Sequence, residues 1–120
     1  MKIAFTIIGI ALVAIILLQA FKSGGGKANE EELLKQINEG ALLVDVRTAE
    51  EFEAGHVKGS VNIPLDQIEK NLDKFKDQKY IIVFCRSGKR SGKAKEILEK
   101  NGFKNVINGG GWTNVNKLVS

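Results

Sequence analysis

Hydrophobic and polar positions divide this chain into two unequal parts. Residues 3–21 are almost wholly apolar, with Thr6 and Gln19 as the only polar side chains and Gly9 as the only glycine. Nineteen helical residues rise about 28 Å, close to the hydrocarbon thickness of a bilayer. A helix apolar on every side does not suit the surface of a small globular domain. Residues 1–22 are therefore expected to form one transmembrane helix, an uncleaved signal anchor. The alternative is a signal peptide that is cut away. Anchoring is preferred because Leu18-Gln19-Ala20 puts a large residue where cleavage wants a small one, and the apolar core is longer than a usual signal sequence needs. Lys2 on one flank favours an extracytoplasmic domain, against Lys22 and Lys27 on the other.

Beyond the apolar run the pattern changes. Ser23-Gly24-Gly25-Gly26-Lys27 reads as a flexible linker, and residues 28–120 as one folded domain. Asn29 with Glu32 resembles a capping box, and Leu33, Leu34 and Ile37 mark the inner face of the helix it opens. Ala41–Val46 is an apolar run of strand length with no alternation, its one polar residue Asp45, as expected of a parallel strand covered on both faces. Thr48 and Glu51 form a second capping box before a short helix ending at Gly55. Ser60–Ile63 is a short strand stopped by Pro64. Asp66 is placed to cap a helix with Ile68, Leu72 and Phe75 inward. Tyr80–Phe84 is the central strand. Gly92–Lys100 is a helix with Ala94, Ile97 and Leu98 inward, closed by Gly102. Asn105–Ile107 is a last strand, Asn108–Gly111 a flexible turn, and Trp112–Val119 a closing helix. Alternating helix and strand predicts the α/β class with a mainly parallel sheet.

Composition narrows the chemistry. The net charge is +4, with the lysines scattered along the chain, so no nucleic-acid face is expected. One cysteine excludes an intrachain disulfide and a zinc cluster, and one histidine leaves little room for a Cys–His couple. No metal or organic cofactor is expected, and the oligomeric state is not readable.

That cysteine, Cys85, stands between the central strand and the following helix, where open α/β sheets bind their ligands. Cys85-Arg86-Ser87-Gly88-Lys89-Arg90-Ser91 can curl its backbone N–H groups round an anion, and a helix N-terminus adds partial positive charge. Arg86, Lys89 and Arg90 add full charges. All three favour thiolate over thiol, so Cys85 is expected to be a nucleophile of lowered pKa.

Four motifs, in order, then carry a resemblance. Val44-Asp45-Val46-Arg47 with Glu51-Phe52, the run Gly55-His56-Val57-Lys58-Gly59-Ser60 with Asn62-Ile63-Pro64, the Cys85 loop, and Gly109-Gly110-Gly111-Trp112 resemble the rhodanese domain. The resemblance implies a five-stranded parallel sheet with helices on both faces. It also implies sulfur transfer through a persulfide on Cys85, from an anionic donor such as thiosulfate to cyanide or a thiol. Carried onto this chain, Arg86, Ser87, Gly88, Lys89 and Arg90 would bind the substrate, through loop N–H groups and through the three cations. Asp45, Arg47, Glu51 and His56 would be structural support, with Arg47 placed to pair with Glu51 and His56 fixing its turn.

Two other readings stay open. Cysteine phosphatases and arsenate reductases also surround a cysteine with N–H groups and an arginine, in a C-x5-R pattern. Here Ser91 occupies that arginine's place and Arg90 comes one residue early, a smaller cradle that suits sulfur better than phosphate. The other reading is a non-enzymatic module that binds persulfide or anions.

Overall fold

The computed structural model describes residues 29–119, so the apolar run at 3–21 and the linker at 23–27 lie outside the described residues. Among the described residues no helix is long and apolar enough to cross a membrane. The elements are α1 (Glu30–Asn38), β1 (Leu42–Asp45), α2 (Ala49–Ala54), β2 (Val61–Asn62), two 3₁₀ segments (Leu65–Gln67 and Glu69–Phe75), β3 (Ile81–Cys85), α3 (Lys89–Lys100), β4 (Val106–Gly111) and α4 (Trp112–Val119). The strands form one parallel sheet in the order β2-β1-β3-β4. The five-stranded sheet implied by the resemblance is thus four-stranded among the described residues.

The unbroken apolar runs do what a doubly covered strand requires. Alternate side chains of a strand point to opposite faces. Val44, Val46, Ile81, Val83 and Cys85 join Ile68, Phe75, Ala94 and Leu98 in one core. Leu43, Ile82 and Phe84 join Leu33, Val57 and Val115 in the other. The sheet is therefore covered by α3 and the 3₁₀ segments on one side, and by α1 and α4 on the other. Alternation along β3 aims Cys85 at the α3 side.

Several elements differ from expectation. On α1 Leu33 is buried and Ile37 packs against the core as expected, but Leu34 is 40% exposed and Gln36 is buried in its place. The helix expected after Asp66 is two 3₁₀ segments, with Pro64 before the first and no side-chain cap. Asn71 breaks the helical path with φ −127° and ψ 29°. Its Nδ2 donates to Gln67 O at 2.8 Å, a local side-chain bond that competes with the backbone ladder. Ile68 and Phe75 are nonetheless buried as their spacing predicts. Helix α3 begins at Lys89, three residues earlier than expected. The supposed turn Asn108–Gly111 is part of β4. Val83 registers with Asn108 but Cys85 with Gly111, so β4 carries one extra residue beside the end of β3, a bulge.

Arg47 does not pair with Glu51. Its Nη2 lies 2.7 Å from Asp45 Oδ2, and its Nε donates to both Asp45 oxygens at 2.9 Å. The same Nη2 donates to Gly55 O at 2.7 Å, and the guanidinium lies 4.6 Å from the Trp112 ring centroid. Asp45 is fully buried and Arg47 nearly so. The pair is short because the two residues straddle the end of β1, where the backbone N–H of Arg47 also donates to Asp45 Oδ1 at 2.9 Å. This array ties β1, the end of α2 and α4 together. Arg47→Ala should destabilise the fold by about 3–5 kcal/mol, because it strands a buried carboxylate. Urea unfolding monitored by Trp112 fluorescence checks this, and an unchanged midpoint would contradict it.

Candidate active site

Cys85 closes β3 and is fully buried, with only Arg86, Ser87 and Gly88 between it and α3. Gly88 sits at φ 95°, the left-handed region that lets the chain reverse this sharply. A Cβ there would also stand 3.2 Å from Gly110 Cα. The floor of the loop is the bulged end of β4, where a Cβ on Gly111 would meet Arg86 O at 3.0 Å. Glycine at both positions lets loop and strand pack in contact.

Gly88 N–H donates to Cys85 Sγ at 3.0 Å, and Ser91 Oγ lies 3.5 Å from the same sulfur. The first turn of α3 has no side-chain cap and no acidic residue. Its free N–H groups lie at the sulfur end of the helix, where negative charge is favoured, and Arg90 also acts on the sulfur while Lys89 is exposed. Burial pushes the Cys85 thiol up, but the Ser91 hydroxyl and the backbone N–H groups of Ser91, Ser87 and Gly88 outweigh it, so its pKa is lowered. The lowering comes from hydrogen-bond donors. Of the three loop cations, Arg90 alone is coupled to the sulfur.

Those cations divide into two kinds. Arg90 is held by Glu51, with Nη1 to Oε1 at 2.6 Å and Nη2 to Oε2 at 3.0 Å. This bidentate pair joins the first turn of α3 to the capping box of α2, where Glu51 also bonds Thr48. The Arg90 hydrogen bond, acting against burial and helped by the Thr48 bonds, lowers the Glu51 carboxyl to about 2. A depressed carboxyl stabilises the fold fully above its ordinary value near 4.5, and that contribution disappears as pH falls through about 2. Arg90 in turn is raised, first by Glu51 and, after an opposing desolvation, also by Cys85. Arg86 and Lys89 are exposed and make no ion pair among the described residues.

Of the expected supporting residues, Glu51 therefore reaches the loop, through Arg90. Asp45 and Arg47 are buried at the end of β1, where Asp45 is in register with Phe84 and so lies on the sheet face opposite Cys85. His56 is exposed, stacked 3.8 Å from Phe52, and its Nδ1–H donates to Phe52 O at 2.8 Å. That arrangement fixes the turn after α2.

Asn108 is the site residue that sequence reasoning missed. Its Oδ1 accepts from Ser91 Oγ at 2.7 Å and from Gly110 N–H at 2.9 Å, and its Nδ2 donates to Gly88 O at 3.0 Å. One side chain on β4 thus holds both the loop and the first turn of α3. The available signal was an asparagine next to glycines, which reads equally well as a turn.

The rhodanese-like domain family matches residues 29–118. The chain belongs to that family. Among relatives of this rhodanese-like chain, YrkF of Bacillus subtilis is 39% identical over 93 residues, 78% of this chain and 45% of that protein. YqhL of the same organism is 40% identical over 68 residues, 57% of this chain and 54% of that protein. The chain thus spans about half the length of these two relatives. The thiosulfate sulfurtransferase PspE of Escherichia coli is 36% identical over 74 residues, 60% of this chain and 71% of that protein. Among solved structures, a rhodanese with anions from Escherichia coli superposes with a TM-score of 0.57 at 36% identity, covering 62% of this chain and 89% of that one. The human single-domain sulfurtransferase TSTD1 gives 0.60 at 27% identity, covering 70% and 89%.

Glu51→Gln tests the charge balance at the loop. Glutamine keeps the reach of the capping box but removes the negative charge opposite Arg90. The thiol pKa of Cys85 should fall, because the freed Arg90 guanidinium then acts on the sulfur without a competing carboxylate. Alkylation rate against pH reads the shift. An unchanged midpoint would show that Glu51 does not temper the Arg90 charge at Cys85.

Proposed function

We propose that this chain is a sulfurtransferase that carries a sulfane sulfur as a persulfide on Cys85. The observation that carries the reading is the Gly88 N–H at 3.0 Å from Cys85 Sγ, at the head of a helix with no other cap. That geometry favours a negative charge on sulfur, both as thiolate and as persulfide. The family and its relative named a thiosulfate sulfurtransferase support the same chemistry.

The Cys85 thiolate attacks the outer sulfur of thiosulfate. The new S–S bond forms as the old one breaks, and sulfite leaves with the electron pair. Cyanide or a thiolate then attacks the outer sulfur of the persulfide, forming thiocyanate or a new persulfide, and the electron pair returns to Cys85. Such a two-step covalent route gives ping-pong kinetics. Arg86, Lys89 and Arg90 draw the anionic donor to the loop, and the N–H groups of Ser87 and Gly88 hold the charge that develops on sulfur. Asp45, Arg47 and His56 keep the surrounding walls in place.

Mass spectrometry of the full chain in detergent, after thiosulfate treatment, tests the reading. Cys85 should gain one sulfur atom, and Cys85→Ser should neither gain sulfur nor transfer it to cyanide, because a hydroxyl cannot form the persulfide. An active Ser variant would refute the covalent route. A persulfide that no acceptor removes would favour a binding module, and hydrolysis of an aryl phosphate without sulfur gain would favour a phosphatase.

The same reading extends to location. The apolar run at 3–21 would anchor the domain to a membrane, with the domain outside the cytoplasm and the glycine linker letting Cys85 reach membrane-bound donors or acceptors. In intact cells a membrane-impermeant thiol reagent should label Cys85, and the full-length chain should stay with membranes after a carbonate wash. Labelling only after lysis would reverse the orientation. A shortened soluble chain would show a cleaved signal peptide.

A further inference from the structure

The amide orientation of Asn108 follows from its partners. Gly110 N–H can only donate, so the atom 2.9 Å from it is the oxygen. Gly88 O can only accept, so the atom 3.0 Å from it is the nitrogen. Oδ1 is therefore an acceptor, and Ser91 Oγ, 2.7 Å away, must donate to it. Yet the same Oγ lies 3.5 Å from Cys85 Sγ, the other acceptor within its reach. A serine has one hydroxyl proton, so it serves one of these two acceptors at a time. Ser91 and Cys85 are fully buried and Asn108 nearly so.

We propose that the Ser91 hydroxyl is a proton rotor, set between Asn108 Oδ1 and Cys85 Sγ, that follows the charge on the sulfur. When Cys85 is a thiolate, the proton turns to Sγ. When Cys85 carries a persulfide, the charge sits on the outer sulfur and the proton turns back to Oδ1. Neither position orphans a buried acceptor, because Oδ1 keeps the Gly110 N–H when Ser91 leaves it. The turn needs only rotation of the O–H bond. Asn108 is thus a positioning residue that acts through Ser91. It competes for the proton and so limits how strongly the thiolate is favoured over the persulfide. A site that held the thiolate too tightly would discharge readily but load poorly.

The inference rests on the proposed persulfide chemistry at Cys85, but its first test needs no sulfur transfer. The rate of alkylation of Cys85 by iodoacetamide is followed against pH for the full chain, for Asn108→Ala, for Ser91→Ala and for the double variant. Removing Asn108 leaves the Ser91 proton only the sulfur. Asn108→Ala should therefore move the thiolate midpoint further down when Ser91 is present than when it is absent. A loop that is merely loosened would shift the midpoint equally in both backgrounds, and that equality would overturn the proposal. Should the Asn108 variants fail to fold, Ser91→Ala carries the test alone in single-turnover kinetics above the thiolate midpoint. Discharge of the persulfide to cyanide should slow by roughly ten-fold, the worth of a hydrogen bond to a charged acceptor, while loading from thiosulfate is retained. Equal slowing of both half-reactions would refute the rotor. Failure of thiosulfate to load the wild-type chain would instead refute the sulfurtransferase reading and leave the alkylation cycle to judge the rotor.

Discussion

The structure depends on a helix that begins badly. The first turn of α3 has two cations, no acidic residue and no capping side chain, all unfavourable at the positive end of a helix dipole. What offsets this is the sulfur of Cys85, which takes the Gly88 N–H and stands where a capping oxygen would otherwise be. The sulfur accepts from the head of the helix, and the donors there lower its pKa. The site is thus part of the fold, built into the junction of β3 and α3.

Keeping that junction in register requires support from three sides. From β4, Asn108 binds Gly88 and Ser91, and the bulge brings Gly111 against Arg86. From α2, Glu51 binds Arg90. Beneath them, the buried Arg47–Asp45 pair binds Gly55 at the end of α2 and stacks against Trp112 at the start of α4. Each partner comes from a different element, so the loop's shape is a property of the whole sheet edge. Its three intervening residues could not hold it alone.

The legible part of this arrangement was the part written locally. Apolar runs without alternation gave away the covered strands, because such strands need no polar face. Both N-caps were visible because cap and partner lie three residues apart: Asn29 and Thr48 accept from the Glu32 and Glu51 N–H groups, and at Thr48 the Glu51 side chain returns the bond to complete the box. Cys85 stood out through the cations crowded at a helix start, a local rule broken at a functional site. The illegible part was written across the fold. Glu51 and Arg90 meet over 39 positions, so the nearer Arg47 looked the better partner. Asn108 and its glycines read as a turn because glycine is a poor strand residue. The close approach of Arg86 to Gly111, the packing of Ile82 and Val115 against Gly109, and the φ of 80° at Gly110 explain why a strand needs glycine there. The fifth strand came from resemblance alone, and the described residues form four.

The division among the cations has a physical consequence for the chemistry. A charge fixed by a carboxylate partner is already largely neutralised and contributes direction more than field. A solvated charge at the mouth contributes field that salt screens readily. Arg90, clamped by Glu51, is the fixed kind, and Arg86 and Lys89 are the solvated kind. Holding a sulfur anion at a set distance calls for fixed donors, which here are N–H groups and one hydroxyl. Drawing in an anion calls for exposed cations. The loop orders these tasks along its depth, with dipoles and the clamped Arg90 at the buried sulfur and the solvated Arg86 and Lys89 outermost. A persulfide fits that gradient, because its charge lies one atom further out than the thiolate's and so moves from the dipoles toward the cations.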